Sequence, residues 1–184
     1  MSSSRIIQAW SRIDTWLAEQ APVTFAALPR PATHEQIASA EQQIGVAFPS
    51  ELYASLRCHN GSGDVEILPG HTLLSAELIA ADFLLAVQIS RDPYTDTYVN
   101  TQSPEWIPIS GDGGGSHYVL GQLGGAQPRV GFRNELGDLD FAEGVMGSCM
   151  SDLLEKAAGA LAAMEVLDDF RPVVVDRELE WEME

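Results

Sequence analysis

The chain begins with an apolar stripe at helical spacing: Ile6, Trp10, Ile13 and Leu17 fall on one face. Three prolines in "APVTFAALPRPA" then predict a break. In "THEQIASAEQQIG", Thr33 stands as N-cap with Gln36 three residues on, which is a capping box. Ile37, Ala40 and Ile44 supply its inner face, and Gly45 suits the C-cap. "VAFPSELYASLRCHNG" predicts a further helix capped by Ser50, with Leu52, Tyr53 and Leu56 inward and Asn60-Gly61 as its stop. "EILPGHTLLSAELIAADFLLAVQ" reads as a short extended piece and then a helix capped by Ser75.

The second half changes period. Beyond a polar loop over Ser90–Pro104, "WIPIS" and "HYVLGQL" alternate as strands do. Asp112-Gly113 between them predicts a hairpin, with Trp106 filling the core beneath it rather than anchoring a partner. "PRVGFRN" and "GDLDFAEG" predict two more strands, joined around Asn134–Asp138. "SCMSDLLEKAAGALAAME" returns to helix, with Leu153, Leu154, Ala157, Leu161 and Met164 inward. "PVVVD" is compatible with an edge strand, which the pattern leaves open. The predicted class is α+β: N-terminal helices, a central antiparallel sheet of about four to six strands, and a closing C-terminal helix.

The four glycines between Gly111 and Gly115 invite a nucleotide reading, but the chemistry opposes it. No lysine follows as in a phosphate loop, the G-x-G-x-x-G spacing fails, and a strand follows where both motifs need a helix N-terminus. The loop reads as a turn, with no nucleotide and no cofactor.

Composition narrows the partners. At 184 residues, with 45% hydrophobic and 20% charged positions, the chain suits one globular domain over 1–184. Its net charge is −17, from 27 acids against 10 Lys and Arg. Nucleic acid and anionic membranes are therefore poor partners, whereas a basic protein surface is complementary. No stretch reads as a signal peptide or a bilayer span, and Cys58 and Cys149 read as two buried thiols, so the expected location is cytoplasmic.

No catalytic constellation emerges. His34, His59, His71 and His117 lack metal spacing, and nothing places Cys58 beside His71 or His117. His59, near a helix end, reads as a cation offsetting the dipole. Asp138, Asp140 and Glu143 lack the glycine and terminal glutamate of a calcium loop. The chain reads as a non-enzyme. Its candidate partner-binding residues are the loop acids Asp64, Glu66, Asp92, Asp96 and Asp112, with Asp168 and Asp169 as a further acidic pair.

Three landmarks in order resemble the SUKH superfamily of fungal Smi/Knr cell-wall assembly regulators and bacterial toxin-immunity proteins. They are "ATHEQIASAEQQIGVAFPSELYASLRCHNG", "WIPISGDGGGSHYVL" and "GSCMSDLLEKA". Phe48-Pro49 replaces the family's usual Leu-Pro, and Cys149 and Met150 stand where phenylalanine is common. The resemblance covers a core of about 32–163 and leaves 165–184 as an acidic C-terminal extension. It implies protein binding: foremost, immunity against a basic toxin domain, of which nucleases are one kind, and alternatively a regulatory scaffold with no toxin partner.

Overall fold

The computed structural model describes residues 2–90, 106–121, 128–141 and 146–184. Its helical half comprises α1 (Ser2–Gln20), α2 (Pro22–Ala27), α3 (His34–Ile44), α4 (Ser50–Cys58) and α5 (Ala76–Ser90). The strands are β1 (Thr72–Leu73), β2 (Trp106–Pro108), β3 (Ser110–Gly111), β4 (His117–Gly121), β5 (Arg129–Arg133) and β6 (Leu139–Asp140). After α6 (Met150–Ala163) come β7 (Phe170–Val175) and β8 (Glu178–Met183). The α+β class therefore holds, with β2-β4-β5-β6 as an antiparallel sheet, β1 on β3, and β7 on β8. Residues 91–105, which hold most of the predicted polar loop, lie outside the described residues.

Helix α1 is the core's spine, lying against α4 and α6. Its predicted stripe of Ile6, Trp10, Ile13 and Leu17 is fully buried. The Trp10 indole donates to Ser55 Oγ of α4 at 2.9 Å, so its one polar atom is satisfied inside the core. Arg5 forks onto Asp152 (2.8 Å) and Glu155 (2.6 Å) of α6. The α6 N-terminus has no cap from Cys149; instead Glu51 of α4 accepts from the Ser151 amide and hydroxyl. Cys58 and Cys149 are free and half-buried rather than buried.

Several expectations need correction. The proline-rich stretch is not simply a break, because Pro22 begins α2; a fixed φ suits the first helical position. Pro49, not Ser50, is the α4 N-cap, and no side chain caps there. Met164 does not point inward: it is exposed, with φ +54°, at the left-handed end of α6. Ile44 and Tyr53 are half-buried, Tyr53 with its hydroxyl against His34. The capping box of Thr33 and Gln36 and the left-handed Gly45 form as predicted.

Trp106 is half-buried and outside the core cluster. Strand parity explains this. Ile107 and Ile109 face the core, so Trp106 faces the other side of the sheet and meets Phe141 edge-on at 6.1 Å. Phe141 can lie there because Gly121 and Gly131 carry no side chain; a Cβ on either would sit 2.8 or 2.6 Å from the ring.

The tightest crossing lies after α4. Gly61, at φ +74°, lets its backbone press against residues 73–75; a Cβ would stand 2.6 Å from Leu73 O and Ser75 N. The flanking Asn60 accepts the Ala76 amide (2.9 Å) and donates to Glu77 (3.0 Å), capping α5 together with Ser75. Gln36 of α3 donates to the same Glu77 at 2.8 Å. On the other side, buried Ser62 bonds both ways with Leu73.

His59, the α4 C-cap, does more than offset a dipole. Its two ring nitrogens reach the Pro29 carbonyl (2.7 Å) and Asp14 (3.1 Å), both acceptors, so both nitrogens donate in the charged form. Burial pushes its pKa down, but the bonds to Asp14 and Pro29 outweigh that and raise it.

Gly61→Ala combines a strained φ with a backbone clash and is expected to cost about 3 kcal/mol or more, measured by urea unfolding. A raised His59 pKa stabilises fully below the unfolded value of about 6.5 and is lost as pH rises through the folded value. The urea midpoint should therefore fall from about pH 6.5 upward, and His59→Gln should flatten that limb. A limb unchanged in the variant would refute the assignment.

Candidate functional site

The predicted acids separate in the structure. Asp112 is exposed, but its Oδ1 accepts the amides of Gly114 (2.7 Å), Gly115 (2.9 Å) and Ser116 (2.9 Å). The glycine loop thus aims its N–H groups at its own carboxylate, where a phosphate-binding loop would aim them at ligand. Burial would raise the Asp112 pKa; these bonds lower it. Asp92 and Asp96 lie outside the described residues. Asp168 and Asp169 form an exposed left-handed turn between α6 and β7.

Asp64 and Glu66 have another setting. They are exposed on the loop that leaves Ser62, and the Glu66 carbonyl accepts the Trp181 indole N–H of β8 at 2.9 Å. β7 and β8 close through Asp176 and Arg177, both at positive φ, as a two-residue hairpin turn requires. Leu179 and Trp181 pack on the core. Glu178 and Glu180 alternate with them and are exposed. The hairpin is tied to α2 by Val23 N–H to Arg177 O (3.2 Å) and Leu179 N–H to Thr24 Oγ1 (2.8 Å).

The result is a groove of about 510 Å³ between α2, residues 64–66 and β8. Its floor is apolar, from Val23, Ala27, Val65, Leu179 and Trp181; its rim is acidic, from Asp64, Glu66, Glu178 and Glu180. Among the described residues none of these four carboxylates has a cation at ion-pair distance. Arg5 and Arg171 are instead committed to Asp152, Glu155 and Glu184. Sequence reading missed Glu178, Glu180 and Trp181 as site residues. The signal was present in "RELEWEM", where acids alternate with Leu179 and Trp181 at strand period.

Reactive groups are otherwise occupied. Ser110 is fully buried, accepts the Tyr118 amide at 2.9 Å and lies 3.3 Å from His71 Nδ1. Burial lowers the His71 pKa. His117 donates Nδ1–H to the Gly115 carbonyl, with Nε2 3.5 Å from Asp82. Burial raises the Cys58 pKa, with Asp14 adding to it, and no described contact joins Cys58 to His71 or His117. Among the described residues no His, Cys, Asp and Glu cluster suits a metal, and no helix is long and apolar enough to cross a membrane.

Comparison with known proteins adds to this picture. Residues 31–144 match the SMI1 / KNR4 family (SUKH-1), more than half of the chain. A KNR4/SMI1 homolog of Eremothecium gossypii is 40% identical over 67 residues, covering 36% of this chain and 10% of that protein. The cell wall assembly regulator SMI1 of Saccharomyces cerevisiae is 37% identical over 67 residues, or 36% of this chain and 13% of its own length. A KNR4/SMI1 homolog of Kluyveromyces lactis is 37% identical over 62 residues, 34% and 12% of the two chains. The chain thus spans only about a tenth of the curated relatives it matches.

Trp181 carries the docking of the hairpin. Trp181→Ala is expected to lower stability by about 2 kcal/mol, less than for a fully buried tryptophan. Hydrogen exchange should quicken in β7 and β8 while α1 amides stay protected. Equal loss of protection in α1 would show that the hairpin unfolds only with the whole molecule.

Proposed function

The chain belongs to the SMI1/KNR4 family, and from that premise we propose that it acts as a non-enzymatic, protein-binding regulatory scaffold, held in the cytoplasm. The observation that carries this reading is the groove: an apolar floor and four carboxylates without described cations. Such a surface attracts a cationic partner at long range and offers it apolar area to bury at contact. The buried Ser110 and the high-pKa Cys58 support the non-enzymatic half, since a nucleophile must be both accessible and deprotonated. Free thiols suit a reducing compartment.

One relative is named for regulating cell wall assembly, and we extend that role to this chain. A second reading, neutralisation of a basic toxin domain, is favoured by the net charge of −17. The two share a binding surface and differ in what occupies it.

Deleting the gene in its own organism separates them. The scaffold reading expects growth on a cell-wall-binding dye to fail and to recover on re-expression. Unchanged growth overturns it. Restored growth on co-expression with a basic toxin domain encoded beside the gene would then establish the second.

A further inference from the structure

The groove along β8 carries a more specific inference, which rests on the protein-binding reading. We propose that it accepts an extended, lysine- or arginine-bearing segment of a partner protein as an added strand on β8.

With a two-residue turn, Val175 and Glu178 exchange hydrogen bonds across the closing pair. Pairing alternates from there, so Leu179, opposite Val174, and Trp181, opposite Pro172, turn their peptide groups away from β7. Two observed bonds confirm this parity: Arg177 O accepts from Val23, and Leu179 N–H donates to Thr24, both outside the ladder. Pro172, which has no N–H, fits a pair without ladder bonds.

Helix α2 covers only the start of this edge. Beyond Leu179 N–H, the Leu179 carbonyl and the Trp181 N–H and C=O lie on the same edge, and that edge borders the groove. An outward strand edge is a template for another chain. The opposite edge, on β7, is blunted by Pro172. β8 is therefore the edge on which a strand can be added.

Charge selects the occupant. A strand seated there places alternate side chains toward Glu178 and Glu180, and the Asp64–Glu66 loop forms the facing wall. An acidic segment would meet four like charges. A basic one finds carboxylates at the spacing its own side chains repeat. Main-chain bonds supply affinity in this mode and side chains supply selection.

The test uses the full chain, labelled with 15N, and a synthetic nonapeptide alternating lysine with valine or threonine. Controls are the same peptide with glutamate for lysine, and with alternate backbone amides N-methylated. The expected result is a shift, by the basic peptide only, of the Trp181 amide and of the Glu180 amide that shares its peptide group with the Leu179 carbonyl. Glu178→Lys with Glu180→Lys, at two exposed positions, should weaken binding by about tenfold or more. N-methylation, which keeps the charge and removes the donors, should weaken it similarly. An unshifted spectrum away from the groove confirms that the double variant folds. Equal binding of the N-methylated peptide would overturn strand addition, and shifts centred elsewhere would overturn the site. Either result alongside an intact dye phenotype leaves the scaffold reading standing, because that phenotype requires a partner and not this mode of capture.

Discussion

The close approach of Gly61 to the backbone of residues 73–75 is the constraint on which the rest of the molecule depends. A chain leaving α4 must reverse here without a side chain, because any Cβ would overlap the backbone of residues 73–75. That contact lets Asn60 reach the α5 N-terminus and Ser62 reach Leu73. Helix α3 joins the same knot through Gln36 and Glu77. The loop bearing Asp64 and Glu66 leaves directly from Ser62, so its direction is inherited from the crossing. One wall of the acidic groove is thus set by a residue that bears no charge.

The few cations explain how the charge is distributed. Arg5 ties α1 to α6, Arg171 closes the hairpin end onto Glu184, and Arg57 reaches the Ala32 carbonyl. His59 binds α1 to the stretch before α3. Apart from the Arg171 pair within the hairpin, these contacts join separate elements, and they draw cations away from the rim. The glycine loop behaves alike with the opposite sign: Asp112 is spent on its own amides. Among the exposed acids without a described ion pair, Asp64, Glu66, Glu178 and Glu180 stand together around one groove. A strand edge within such a rim unites a steering field with a main-chain template, which neither supplies alone.

Much of the fold was legible because its causes are local. The Ile6–Leu17 stripe, the Thr33/Gln36 capping box, left-handed Gly45 and the Asp-Gly turn each depend on residues a few positions apart. Where neighbours from afar decide, local reading failed. A tryptophan opening a strand beside apolar residues reads as core, but for Trp106 the face of the strand is decided by which side the helices cover. Ser50 looked like a cap because its type favours one, and the backbone placed Pro49 there instead. Asn60 announced a helix end, while its second role, capping α5, requires the crossing at Gly61.

The acidic groove divides along the same line. Sequence alone determined the charge excess, the Asp64 and Glu66 loop, the lack of metal and nucleotide spacing, and the alternation of Glu178 and Glu180 with Leu179 and Trp181. Tertiary structure decided that these two acidic stretches, more than a hundred residues apart, form one surface. The physical reason is that hydrophobic burial carries no sequence address. Leu179 and Trp181 needed an apolar surface and a carbonyl acceptor, and only the folded core could say that α2 and Glu66 supply them.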